Sequence, residues 1–317
     1  MKRILILILI CCSAFAGCGK SDQSEMTVDY TDVFHQQVGG LVLDLTPPDT
    51  WNEAVCNYKI EYCFLDHEKL EETLKPKVTT EMVNLRDEEA GDPDYYMEIL
   101  SGSDGMGWVI REDTPITSTM SSYMYGNEEP FSTSSEFVSG AVDQIDDAFQ
   151  IAQDFLSEIG LNSVELRGYH KEGDTVLMRF SYMELDGIPT FDPCAEVEWT
   201  PFLPSEFDVA VEESHVRYAS ITYPYEIVSV GELEACLSPE QAAEHLIDWY
   251  EENADGGDYS FDTITLCWAI TARSVEYGEK DTAQLSPYWV FLGTHEQTQE
   301  LIAVHAISGE LLQRDMS

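Results

Sequence analysis

The chain has 317 residues, with 60 acidic against 16 basic side chains and a formal net charge of −44. Such a field repels nucleic acid and anionic lipid headgroups and attracts cations or basic partners, which argues against nucleic-acid binding. About 300 residues are enough for two or three domains, each with its own core.

Lys2 and Arg3 precede an unbroken apolar run, Ile4 to Ile10, that continues through Cys11 and Cys12 to Phe15. A run of about a dozen residues is too short for a spanning helix, which needs roughly 20, and reads as a secretory signal. It leads into Phe15-Ala16-Gly17-Cys18-Gly19, which resembles the lipobox cut by bacterial lipoprotein signal peptidase, with Phe15 where Leu is usual. The resemblance implies a signal peptide over 1–17, a diacylglycerol on Cys18, and a protein held by lipid on the extracytoplasmic face of the cell membrane. A plain signal peptide cut nearby is the alternative. Two or three acyl chains, at about 0.8 kcal/mol per buried CH2, make a stable anchor. Loss of Lys2 and Arg3 would move the formal charge to −46.

Residues 18–27 are polar and read as a flexible tether. From 28 to 126 the pattern is strand-rich: Ile60, Tyr62 and Phe64 alternate, Asp66 to Leu74 reads as a short helix, and Tyr96 to Leu100 and Trp108 to Ile110 flank a Gly102-Ser103-Asp104-Gly105 turn. This segment is expected to be an N-terminal α+β domain, with 127–140, rich in Ser, Glu and Pro, as a linker. Cys56, Cys63, Cys194, Cys236 and Cys267 remain after the signal and the lipidated residue. Five is odd, so at least one thiol stays free, and neither a metal knuckle nor a dense disulfide framework is spelled out. Read on one strand, Cys56 and Cys63 lie seven apart and point to opposite faces.

A weak internal repeat follows. Asp143 to Phe155 aligns without gaps on Ser238 to Tyr250, and both stretches read as amphipathic helices. In the first, Val142, Ile145, Phe149, Ala152, Phe155, Leu156 and Ile159 form one apolar stripe. The second opens with Ser238-Pro239-Glu240-Gln241, where Ser238 caps, Pro239 takes the first helical position and Gln241 completes a capping box. Strand patterns come next in each case. Thr175 to Met183, Ala195 to Trp199, Phe207 to Glu212 and Val216 to Ile221 follow the first helix, with a turn at Asp186-Gly187. After the second, Ile264, Leu266, Trp268 and Ile270 alternate with a wetter face of Thr263, Thr265, Cys267, Ala269 and Thr271; Tyr288 to Leu292 and Leu301 to Ile307 close on Ser308-Gly309. The fold class is therefore α+β, with helix-plus-antiparallel-sheet units over 141–230 and 231–317.

Five pieces then form one pattern: Ala148 to Leu156, Leu185-Asp186-Gly187-Ile188-Pro189, Leu237 to Ala242, Leu285 to Phe291, and His305-Ala306-Ile307-Ser308-Gly309-Glu310. The pattern, over about Ala141 to Leu312, resembles uncharacterised lipoproteins of clostridial Firmicutes and, more distantly, PepSY-like domains and the YycH/YycI-type accessory proteins of a cell-wall sensor kinase. His305 stands where Asn is common. The resemblance implies the repeated fold and carries over no activity.

No nucleophile elbow, zinc-protease helix, phosphate-binding glycine loop or dinucleotide turn occurs. His35, His67, His170, His215, His245, His295 and His305 are scattered singly, so no metal, cofactor or catalytic residue is assigned. Asn253 to Asp258 resembles a cation-binding turn but lacks the EF-hand order and reads better as a helix-ending loop. Tyr288, Trp289 and Phe291, and Tyr218, Tyr223 and Tyr225 around Pro224, are aromatic clusters that would either line a groove or pack in strand cores. The expectation is a non-catalytic binding or regulatory module, anchored to the membrane and facing an envelope protein partner. The alternatives are an envelope hydrolase or metal-dependent enzyme with a dispersed site, and a transporter's substrate-binding lipoprotein.

Overall fold

Alternation of apolar and polar side chains builds most of this protein. Leu41, Leu43 and Leu45 are buried while Val42, Asp44 and Thr46 are exposed, so β2 (Leu41–Thr46) turns one face to a core and one to water. The computed structural model describes residues 32–74, 78–84, 96–103, 106–112, 121–126, 137, 145–191, 200–203, 205–253, 257–276, 280–296 and 298–312. The expected signal peptide, the tether, nearly all of the 127–140 linker and the Ala195 to Trp199 strand lie outside them.

Two large sheets result, each with a helix-covered core. Sheet I runs β1 (His35–Val38), β2, β15 (Tyr259–Ile270), β16 (Thr282–His295), β17 (Thr298–His305), β18 (Leu311–Leu312), and a branch of β4 (Tyr58–Tyr62) and β13 (Tyr225–Val230) joins it through β16. The 14-residue β16 makes this branch possible, because residues 288–295 pair with β17 and residues 282–285 of the same strand pair with β4. Sheet II runs β5 (Thr79–Asn84), β6 (Tyr96–Ser101), β7 (Gly107–Glu112), β8 (Ser121–Tyr125), β12 (His215–Thr222), β11 (Phe207–Glu212), β10 (Thr175–Tyr182), β9 (Val164–Glu172), antiparallel throughout. A small pair, β3 (Ala54–Val55) with β14 (Glu234–Ala235), completes the strands. The fold is α+β with antiparallel sheets, the parallel β2–β15 pair aside.

The repeat is visible in both sheets. Helix α2 (Asp146–Glu158) precedes the meander β9 to β12, and α3 (Pro239–Asn253) precedes the meander β15 to β18. The apolar stripe of α2 buries Ala152, Phe155 and Leu156 against Phe180, Phe207 and Val209 of sheet II. At its C-terminus, Gly160 adopts φ +99°, the Gly160 amide donates to the Ser157 carbonyl and the Leu161 amide to the Leu156 carbonyl. Those two bonds form a Schellman closure, and glycine takes the left-handed position without a Cβ penalty. On sheet I, α3 buries Ala242, Ala243 and Leu246. Its capping box forms as expected: the Ser238 amide donates to Gln241 Oε1 at 2.9 Å, and the Gln241 amide to Ser238 Oγ at 3.2 Å. The short helix α1 (His67–Glu72) is capped by Asp66, whose Oδ1 accepts from the Glu68 amide at 3.0 Å.

Several expectations need correction. Residues 28–126 do not form a domain of their own, because β1, β2 and β4 join sheet I while β5 to β8 join sheet II. The boundary at 230 does not separate domains either, since β13 lies in sheet I while β9 to β12 lie in sheet II; Val33–Ser317 is one compact unit. The Asp186-Gly187 turn explains part of this. Both residues have positive φ, 54° and 77°, in a two-residue turn closed by mutual Leu185 and Ile188 bonds. This turn docks on β15: the Trp268 indole donates to the Leu185 carbonyl at 3.0 Å, and Thr190 bridges Trp268 in parallel. The supposedly wetter face of β15 is buried at Cys267 and Ala269, under Phe202 and Tyr288. Cys56 and Cys63 flank β4 instead of sharing a strand, and both are free thiols, as are Cys236 and Cys267. Cys194 lies outside the described residues.

Candidate functional site

The candidate site is a groove of about 480 Å³ where the two sheets meet. Four segments far apart in sequence form it: Cys63 to Asp66 with Lys69 of α1, Ile159 to Ser163 after α2, Tyr182 at the end of β10 with Met183 and Leu185 beyond it, and the start of β13. At its floor Tyr182, the last residue of β10, reaches from sheet II to sheet I. Its hydroxyl donates to the Tyr225 carbonyl at 2.9 Å and accepts from the Tyr225 amide at 2.8 Å, and the two rings lie 4.2 Å apart. One side chain thus satisfies both backbone groups of Tyr225, which a lone strand edge would leave to water.

The mouth is apolar. Phe64, Met183 and Ile227 line it, and with Val228 and Val230 of β13 they are 39–64 % exposed. The expected alternation of Ile60, Tyr62 and Phe64 breaks here, because β4 ends at Tyr62 and Phe64 turns out to solvent. Charges rim the groove: Asp66 and Glu226 line it with Lys69, whose ammonium group lies beside Gly160 at the C-terminus of α2, where the helix dipole favours a cation.

Burial sets the protonation states. It pushes the Cys63 thiol up to about 11, helped by the nearby Glu226 and Glu61 carboxylates. Burial also raises the Tyr182 and Tyr225 phenols well above their ordinary range. At neutral pH the floor therefore presents a thiol and two neutral phenols, a surface suited to holding apolar groups and poor at nucleophilic attack.

The aromatic clusters read from sequence fall mainly in cores. Tyr288, Trp289 and Phe291 are buried in β16, and the Trp289 indole donates to the Leu237 carbonyl at 2.9 Å. Tyr218 and Tyr225 are buried as well, and of that cluster Tyr225 alone lines the groove. The histidines stay apart: His35 pairs with Asp44 at 3.0 Å, His67 with Glu98 at 3.4 Å, and His295 stacks on Tyr259. Among the described residues no three His, Cys, Asp or Glu side chains come together as metal ligands. Of the Asn253 to Asp258 turn, residues 254–256 lie outside them. Cys18, the lipidation candidate, also lies outside them. The groove was not read from sequence. The signal that could have revealed it is the run Ile227-Val228-Ser229-Val230, apolar on both faces where a half-buried strand would alternate.

The chain is similar in fold to an uncharacterised protein from Eubacterium rectale, with a TM-score of 0.56 and 14% identity, over 87% of this chain and 90% of that one. The YpeB C-terminal domain of Bacillus megaterium aligns over 79% of this chain and 98% of that domain, at 12% identity and a TM-score of 0.34. No family model and no curated protein matches the sequence.

Proposed function

We propose that the protein is a non-catalytic binding or regulatory module of the bacterial cell envelope, held on the extracytoplasmic face by lipid on Cys18. It engages another envelope protein through the groove between the sheets. The observation that carries this reading is the groove itself: apolar side chains stand exposed at a mouth whose floor is pinned by Tyr182, so the surface is preorganised for a ligand and costs little to order. The protonated Cys63 thiol and the neutral phenols favour binding over nucleophilic chemistry. The antiparallel meanders also differ from the parallel βα lobes of transporter receptors.

Crosslinking in intact cells, with mass spectrometry of captured proteins, tests the proposal by comparing the native chain with Cys18→Ala. An envelope protein captured by the native chain and lost with the anchor is the expected result. Equal capture by both forms would remove the anchor from the account, and capture of no protein would overturn the binding reading.

A further inference from the structure

The outer edge of β13 has a register that can be followed residue by residue. The Cys63 amide donates to the Pro224 carbonyl, so Pro224 faces β4, while both backbone groups of Tyr225 face away and are taken by the Tyr182 hydroxyl. By the two-residue period, Ile227 is the next position whose amide and carbonyl face the outer edge. The ladder slips by one residue between Ile227 and Ser229, so Val228 is a bulge. Past it, the Gly231 amide donates to the Asn57 carbonyl on the β4 side, which leaves Val230 facing outward again. Tyr182 therefore closes the start of the edge, and among the described residues no strand pairs with the rest.

Sheet edges are usually protected by charge or proline. The β9 edge of sheet II carries Arg167, His170 and Lys171, and β1 reads His35-Gln36-Gln37-Val38. In contrast, β13 exposes Ile227, Val228 and Val230 beside an apolar groove. The stretch from Tyr225 to Ala235 also contains Glu226, Glu232 and Glu234, all exposed, and no basic residue. Of the carboxylates near the groove base, Glu61 is paired with Lys280, while Glu226 lines the groove together with Asp66 and Lys69, the single cation among the described residues lining it.

We infer that β13 binds an extended, positively charged polypeptide segment by strand addition, pairing at Ile227 and Val230. Alternate apolar side chains of that segment enter the groove beside Phe64 and Met183, and its Lys or Arg residues meet Glu226, Glu232 and Glu234. This rests on the reading of the protein as a binding module and names the chemistry of its partner.

Fluorescence anisotropy with labelled peptides of about ten residues tests it, a length that spans a typical strand. The probe alternates Val and Lys; one control replaces each Lys with Glu, and another keeps the lysines but methylates alternate backbone nitrogens. Val230→Pro removes an outward amide that β4 does not use, and Ile227→Glu adds negative charge while removing an apolar contact. Both are exposed positions, and thermal melting checks that each variant folds. Val230→Pro and the N-methylated peptide should each weaken binding about tenfold, in line with the loss of one or two main-chain bonds, and Ile227→Glu should weaken it through the lost apolar contact despite the added negative charge. The Glu peptide should not bind. Equal affinity across the variants, or tighter binding to Ile227→Glu, would mean attraction by charge alone and overturn the inference. Absence of Val-Lys peptide binding would do the same. An envelope partner captured in cells through another surface would refute strand addition and leave the binding-module reading standing; no partner at all would refute both.

Discussion

The two helix-plus-meander units follow the same order of elements and are extended in different ways. In the first, β12, the last strand of the meander, is continued by β8, β7, β6 and β5, all antiparallel. In the second, the first strand β15 takes β2 as a parallel neighbour, and the over-long β16 recruits β4 and β13. The N-terminal third of the chain thus serves both units, and the Asp186-Gly187 turn and the Tyr182 hydroxyl tie one to the other. A repeat that was duplicated in pattern has become a single body through its additions. Its groove lies where the β4 and β13 branch of the second unit meets the C-terminus of α2 and the end of β10 in the first.

The largest test of that comparison is core deletion in each unit. Phe180→Ala in the first and Trp289→Ala in the second remove fully buried side chains and should each cost about 3–5 kcal/mol. In denaturant titrations followed by fluorescence and circular dichroism, both should shift one shared transition. Two transitions, of which each variant moves only one, would separate the units. Next comes the tie itself. Tyr182→Phe leaves the Tyr225 amide and carbonyl without their partner and should cost about 1–3 kcal/mol, read as a lower urea midpoint.

Helix ends give smaller effects and sharpen the contrast between the units. Ser238→Ala breaks the box that starts α3, and Gly160→Ala strains the closure of α2 at φ +99°; each should cost about 1 kcal/mol. Helix α2 starts at Ile145 with no side-chain cap, so no equivalent N-terminal loss exists in the first unit. The smallest effect is in pH dependence. Burial pulls the His305 imidazole below its ordinary value near 6.5, and its Nδ1 accepts from the Ser308 amide at 3.1 Å. Folding therefore favours the neutral ring. That contribution is present above the ordinary value and is lost as pH falls through the lowered one. His305→Asn, which keeps an acceptor that does not titrate, should flatten this part of the stability–pH curve.

Much of the fold was legible from local chemistry. The α2 stripe, the Ser238–Gln241 box, the Asp186-Gly187 turn and the Phe207 to Glu212 strand each carry their signal within a few residues. Strand β9 was missed because Val164 to Glu172 includes Gly168 and four charged residues and shows no clean alternation. The assignment of residues 28–126 failed for a different reason: a two-residue period marks a strand and one buried face, and it is silent on which sheet receives it. The β2–β15 pairing joins residues more than 200 positions apart. The groove was illegible for the same reason, since its walls come from four distant segments and only the unalternating Ile227 to Val230 run hints at it.

The central claim is that the outer edge of β13 is the recognition surface. A photoreactive amino acid placed at position 227 in intact cells tests it most directly, with position 174, on the far hairpin of β9 and β10, as the control. The account predicts an adduct from position 227 alone, mapping to a Lys- or Arg-containing extended segment of an envelope protein and lost in the Val230→Pro background. Equal adducts from both positions, or none from position 227, would contradict it.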